Sequence, residues 1–476
     1  MAKKKKIIQM LADNNISFDF IENEKGKKAY EEEVLDINAD NADDYAKTGN
    51  FSGVRIYNFT PDEIPNFDKV SSDAEAWAYI LPIVEITLSA LTEKQLYALL
   101  GIVGKELKFL SLNYSKLSKL ELDKIVKACP KLCKIELSDD NWERDNRLPV
   151  ELHKIGKQKF ESIICRNFAV DNEVDWSILN IESLELDECD TSKITFPDNL
   201  KVLNCTATNE MVTIKGAKNL YELTISVNNE SAKNIDLKEI NKLSILDLNI
   251  EGANGVKVNL PTSLLSLNFS GAFSKAFSLS FLSPLNSLES LSIRSKDQGF
   301  KNYDAISGLS NLKVFKLDEN GVGNEKFKSD FKPDFLKGLK KLEELNLRYV
   351  VNLSDFSFVK DLPVLKTLEV NTSRVKTLKG LEFGKIEKLI MHDCHSISDW
   401  TPILKTKISD LKFFISSYWG TKVEMSPNSL NQLAESNIKT AEISLDKIKL
   451  LKKDLKLLEK TFTLDGDTYN LSLDRK

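Results

Sequence analysis

Histidine is nearly absent: the 476 residues contain three, at positions 153, 392 and 395. His392-Asp-Cys394-His395 gathers ligand-type side chains, but its spacing matches no zinc motif and no second pair accompanies it. Packing accounts for it: His392 facing outward, Cys394 buried and His395 starting a loop. No metal and no cofactor are expected. Long apolar runs are also missing, since none approaches the roughly 18–20 residues of a membrane span. The basic start, Lys3 to Lys6, resembles a signal peptide, but its apolar stretch ends at Asp13 after about six residues without a small-residue cleavage site. A capping helix is the expected reading. Charge of one sign is scarce as well. With 66 basic and 71 acidic residues the net charge is −5, which favours neither nucleic acid nor membrane as a partner.

Nucleotide chemistry has no foothold. Gly101-Ile-Val-Gly104-Lys105 has two residues between its glycines where the phosphate-loop pattern has four, and no hydroxyl residue follows the lysine. Carboxylates are spread along the whole chain, so no acid–base pair stands out. No catalytic set is expected.

What the chain does have is a spaced apolar frame, L-x-x-L-x-L, repeated about seventeen times. Examples are Leu107-Lys-Phe-Leu110-Ser-Leu112, Leu243-Ser-Ile-Leu246-Asp-Leu248 and Leu342-Glu-Glu-Leu345-Asn-Leu347. Frames begin at Phe51, Leu81, Leu107, Leu132, Phe160, Ile181, Leu200, Leu220, Leu243, Leu264, Leu288, Leu312, Leu342, Leu365, Ile386, Ile408 and Ile438, 19 to 30 residues apart. Within a frame, apolar and polar residues alternate, which is the period-2 mark of a half-buried strand. Helical repeats lack that alternation, and a coiled coil needs a period of seven.

These frames resemble those of leucine-rich repeat proteins over residues 51 to 446. Tyr303 to Leu317 is similar to the short bacterial and phosphatase-regulator type, and Met391 to Asp399 to the cysteine-containing type. The resemblance implies an α/β solenoid, a curved horseshoe. A parallel sheet lines its concave face, and helices, turns and extended segments form its convex face. The family's asparagine ladder is nearly lost: only Asn228 and Asn320 hold the position, with Cys189, Cys394, Thr208, Ser373 and Ser416 as partial substitutes. Relatives that are ubiquitin ligases carry a separate domain with a nucleophilic cysteine. Here the last cysteine is Cys394, inside the array, so no such domain is expected.

The cysteines follow the frame. Cys165 and Cys205 take its third apolar position, and Cys189 and Cys394 stand three places later. Buried, reduced thiols and a cytoplasmic location are expected, with export lacking a recognisable signal as the alternative. Among the chain's glycosylation triplets, those at Asn113, Asn204, Asn268 and Asn371 begin on strand positions expected to face outward, where glycans would block the inner surface.

Three segments are expected: residues 1–50 as an N-terminal cap with an acidic run, 51–446 as the repeat array, and 447–476 as a C-terminal cap of helix plus hairpin. The early repeats are long, and Thr92-Glu-Lys-Gln95 is a capping box leading into Leu96, so helices are expected on the outer wall there. Helices pack about 8–10 Å apart while strands stack at about 4.8 Å, which predicts strong curvature before residue 160. The short repeats between Ile181 and Leu220 have room only for turns and extended chain.

The strand residues between the leucines point to the concave face. From Glu85 to Asp247 that face reads acidic and small-polar, with Arg166 as the exception. Later it becomes mixed, with Arg294, Lys316, Arg348 and Lys412. An aromatic and apolar group joins them: Tyr349, Ile390, His392, Phe414, Tyr418 and Trp419. Arginine and aromatic side chains dominate binding hot spots. These ten residues are the candidate site for another protein. The expected function is non-enzymatic protein recognition by a monomer. The alternatives are a delivered effector or enzyme with an unrecognised active site, and a self-associating structural protein.

Overall fold

In a computed structural model of the chain the apolar frames become short, mostly parallel strands. The structure describes residues 6–14, 16–22, 51–61, 64, 66–75, 77, 81–113, 117, 119–138, 148–170, 175–228, 230–252, 255–319, 330–350, 352–371, 375–394, 396–414, 427–444, 463–465 and 470–474. The acidic run before Tyr45, the helix expected from Ile448 to Leu458, and Asn320, Ser373, His395, Ser416, Tyr418 and Trp419 lie outside the described residues. The chain divides into two compact units, Met1–Thr224 and Ile225–Lys476.

The first unit holds β1 (Phe18–Glu22), β2 (Phe51–Phe59), β3 (Ile83–Ser89), β4 (Phe109–Asn113), β5 (Lys134–Ser138), β6 (Lys159–Arg166), β7 (Asn180–Cys189) and β8 (Val202–Ala207). Strands β2 to β8 pair in sequence order and parallel, and β1 closes the start antiparallel to β2. Ahead of β1, the helix Lys6–Asp13 buries Ile7, Ile8 and Leu11. Strand β9 (Glu222–Val227) falls at the division.

The second unit holds β10 (Ile245–Glu251), β11 (Ser266–Ala272), β12 (Ser290–Ser295), β13 (Val314–Glu319), β14 (Glu344–Arg348), β15 (Thr367–Asn371), β16 (Lys388–His392), β17 (Asp410–Phe414) and β18 (Thr440–Ser444), again parallel and in order. A hairpin of β19 (Thr463–Asp465) and β20 (Asn470–Asp474) closes it, with β20 antiparallel to β18.

Burial follows the frame. In β10 Leu246, Leu248 and Ile250 are buried while the residues between them are half-exposed. Each such side chain stabilises by about 1.5–3 kcal/mol through removal from water. The frame placed at Leu81 needs correction. Ile86 pairs with Leu110 and Leu88 with Leu112, so the frame begins at Ile83. Ile83, Ile86 and Leu88 are buried whereas Leu81 is only half-buried. Thr87, not Glu85, therefore lies beside Ser111. A bulge between Cys205 and Thr206 also sets Thr206 against Glu188 rather than Asp187.

Parallel strands need a crossover of a dozen or more residues, and here it takes several forms. The long early repeats carry helices at Glu93–Val103 and Leu122–Ala128. The first is capped as expected: Thr92 Oγ1 accepts from Gln95 N, and Gln95 Oε1 accepts from Thr92 N at 2.9 Å. Shorter repeats use extended pairs such as Thr195–Phe196 with Lys215–Gly216. In the second unit single 3₁₀ turns recur, among them Leu279–Leu282, Tyr303–Ile306, Ser357–Asp361 and Thr401–Lys405.

The lost asparagine ladder is replaced by mixed groups. Cys394 Sγ lies 3.4 Å from the His392 carbonyl, and Thr208 Oγ1 donates to the Cys189 carbonyl at 3.4 Å. Ser295 Oγ accepts from Gly299 N at 2.9 Å, and buried Glu319 accepts from Tyr303 Oη and Phe300 N. Asn228 is exposed, which corrects its expected ladder place. Asn371 is corrected in the opposite sense: it occupies a face position but is buried.

None of the six cysteines is in a disulfide. Burial pushes the thiols of Cys129 and Cys165 up to about 12, far from the thiolate needed for reaction at neutral pH. Among the six, Cys133 alone is not fully buried. In the native protein a thiol reagent should therefore modify Cys133 first, with the others released only by denaturant; faster labelling of Cys165 would contradict this packing. Gly380 supplies a second test. Its φ is +104°, and a Cβ there would run into the Phe356 backbone. Gly380→Ala should lower stability by about 2 kcal/mol or more, read by denaturant unfolding.

Candidate partner-binding face

The register of β12 to β18 builds two rows of side chains on the solvent side of the sheet. One runs Ser292, Lys316, Asn346, Glu369, Ile390, Lys412, Glu442, and the other Arg294, Asp318, Arg348, Asn371, His392, Phe414, Ser444. Parallel strands in register stack like positions on like positions, so the rows follow from the period-2 frame alone. Arg294 and Phe414 are five strand steps apart, about 24 Å at ~4.8 Å per step. The eight described candidates thus share one side of the second unit, but they spread along it.

Most cations in this stretch are paired. Lys316 Nζ lies 3.1 Å from Glu344 Oε1, and Lys412 Nζ lies 2.9 Å from Glu442 Oε2. Arg294 Nε reaches Asp318 Oδ2 only at 3.6 Å. Among the described residues no carboxylate pairs with exposed Arg348, whose guanidinium carbon stands 5.9 Å from the Tyr349 ring centre. Tyr349 itself sits past the end of β14 in a left-handed turn, φ 58°, its N–H donating to the Asn371 carbonyl at 2.7 Å. It marks the rim of the face rather than its floor.

His392 and Phe414 form a stacked pair, with centroids 5.3 Å apart and planes at 28°. They come together because β16 and β17 pair His392 directly with Phe414. The His392 Nε2 lies 3.8 Å from Glu369 Oε1. Burial holds the imidazole below its usual value; Glu369 opposes that shift and Arg348 adds to it. Ile390, half-buried, stands in the neighbouring row.

Two polar residues gain significance that spacing alone did not give them. Asp318 Oδ1 and Asn346 Oδ1 are buried acceptors that receive no hydrogen bond from the described residues. Burial pushes the Asp318 carboxyl up, against the pull of Arg348 and Arg294. Buried acceptors are nearly always satisfied in folded proteins, so these two mark a local irregularity of the face beside Arg348. A polar residue on the face is visible in the sequence; its missing donor depends on rotamers and is not.

In the first unit the acidic reading is softened by ion pairs. Arg166 Nη1 lies 2.7 Å from Glu136 Oε1, and its Nε lies 2.8 Å from Glu185 Oε1. Arg55 pairs with Glu85. Among the described residues no group of three or more histidine, cysteine or carboxylate side chains is placed to hold a metal ion, and no helix is long and apolar enough to cross a membrane.

The His392 shift has a pH consequence. A base whose folded pKa lies below its unfolded value, ~6.5, leaves stability complete above that value and loses it as pH falls through the folded pKa. The His392 imidazole should titrate below ~6.5 by NMR, and His392→Gln should flatten the fall of Tm between neutral and mildly acidic pH. A midpoint at or above the ordinary value would contradict the burial described here.

No family model and no curated protein matches the chain. Solved structures do. An internalin from Listeria monocytogenes is 15% identical, covering 76% of this chain and 85% of its own, with a TM-score of 0.37. A leucine-rich repeat protein from Leptospira interrogans is 16% identical, covering 79% and 92%, with a TM-score of 0.40. The functional domain of InlJ from Listeria monocytogenes, described as including a cysteine ladder, is 14% identical, covering 80% and 82%, with a TM-score of 0.37. At these TM-scores the likenesses decide nothing about this chain, whose stacked parallel repeats rest on its own strand register.

Proposed function

We propose that this chain is a non-enzymatic recognition module that holds another protein against the face of β12 to β17. The observation that carries the reading is local. Among the described residues exposed Arg348 pairs with no carboxylate, and it lies two strands from the His392–Phe414 stack. A partner that supplies an acceptor for Arg348 and an apolar side chain for the stack completes both at once. The stretch is otherwise neutralised by its own ion pairs, so shape and hydrogen bonds rather than net charge set the choice of partner. Tyr418 and Trp419 remain part of the proposed site by sequence alone, and so do Arg294, Lys316, Tyr349 and Lys412 at its margins. Thiols outside any disulfide suit the reducing cytoplasm, and the chain works as a monomer.

Affinity capture followed by mass spectrometry identifies the partner. Replacing Arg348, His392 and Phe414 together by alanine should then weaken its binding by roughly 30-fold or more, as expected for central hot-spot residues. Unchanged affinity in a variant with native circular dichroism would place the site elsewhere.

A further inference from the structure

We propose, resting on the recognition role just described, that the partner crosses the face of the second unit as an extended segment. It presents a carboxylate to Arg348 and, four residues away, a large apolar side chain to the His392–Phe414 stack. Charge sets the first anchor. Along the row through Arg294 one carboxylate, Asp318, stands between two guanidinium groups, Arg294 and Arg348. Its 3.6 Å contact is with Arg294. In the other row Lys316 is answered by Glu344 and Lys412 by Glu442. Among the described residues exposed Arg348 pairs with no carboxylate, and the Tyr349 ring flanks it, 5.9 Å from the guanidinium carbon. A carboxylate from outside completes this row, and a guanidinium holds one through two parallel hydrogen bonds.

The second anchor is apolar and narrow. His392 and Phe414 are both half-buried and stacked, and half-buried Ile390 stands beside them, so this spot covers only β16 and β17. A docked α-helix lays down a stripe of apolar side chains at i, i+3, i+4 and i+7. The strand before this spot offers Glu369 and Asn371 instead, which cannot take such a stripe. One large side chain is what the spot accommodates.

Spacing then selects the form of the segment. Arg348 is two strand steps from His392 and three from Phe414, about 10 and 14 Å at ~4.8 Å per step. An extended chain advances about 3.3 Å per residue and turns alternate side chains to one side. Positions i and i+4 are therefore about 13 Å apart on one side, whereas i and i+2 span about 7 Å and i and i+8 about 26 Å. Only the middle spacing reaches from Arg348 to the stack. The register sets this distance and leaves the direction of the segment open to either order.

Fluorescence anisotropy tests this with the full chain and labelled serine-based peptides carrying one Glu and one Phe, two, four or eight places apart, in either order. In one order the four-apart peptide should saturate in the millimolar range or below, about tenfold or more tighter than the other two. Arg348→Glu, a change of an exposed side chain, should abolish that binding and confer it on the peptide in which Lys replaces Glu. Phe414→Ala should weaken the four-apart peptide by about tenfold, with circular dichroism confirming the fold of both variants. No saturation, equal affinity at every spacing, or undiminished binding by Arg348→Glu would overturn the proposal. The captured partner separates the two levels. If it loses affinity for the Arg348, His392 and Phe414 alanine variant while the peptides show no preference, the extended segment is refuted and the recognition role stands. If it binds that variant unchanged, the role itself is refuted and the segment with it.

Discussion

The structure depends on one constraint: a parallel strand can satisfy its backbone N–H and C=O groups only through the repeat before it and the repeat after it. Each turn of chain must therefore arrive at the same height and register as its neighbour. The frame delivers this because its apolar positions point to one side and their intervening residues to the other. A slip of one residue would send Leu345 and Leu347 to solvent and bury Asn346 and Arg348. Register and composition of the face are thus the same fact. The stack of like positions seen from β12 to β18 is what hydrophobic burial leaves on the other side of the sheet.

The return path is freer, and the chain uses that freedom. Some repeats fold helices, others make single 3₁₀ turns, and others use extended pairs. The turn after each strand is likewise solved piecemeal. Glu319, Ser295, Cys394 and Thr208 satisfy backbone groups that a regular ladder would serve with one residue type. Left-handed residues follow the frame at Ala90, Asn167, Tyr349 and Asp393, where the chain leaves the sheet. Irregularity in sequence is therefore concentrated where the fold tolerates several solutions. At both ends an antiparallel strand, β1 or β20, lies against a parallel neighbour.

Much of this was legible beforehand because period 2 is a strong signal. The rows through Arg294 and Lys316 follow directly from counting along the frame. The frame at Leu81 misled because Leu81-Pro-Ile83-Val84 offers two apolar alternations, and only the pairing with β4 chooses between them. The bulge after Cys205 is likewise invisible without its partner strand. Asn371 shows another limit: alternation assigns it to the face, but flanking by Arg348 and His392 in the register accompanies its burial. The orphaned acceptors of Asp318 and Asn346 depend on rotamers, which leave no mark in a one-dimensional pattern.

The central claim is that recognition belongs to the solvent face of β12 to β17 and not to the return path behind it. Photo-crosslinking tests it most directly. A benzophenone side chain is placed in turn at Ser292, Asn346 and Ile390 on the face, and at Ser280, Lys337 and Lys405 on the 3₁₀ turns. The account predicts adducts with the captured partner from the first three positions and none from the last three. Adducts formed from the turns, with the face silent, would contradict it.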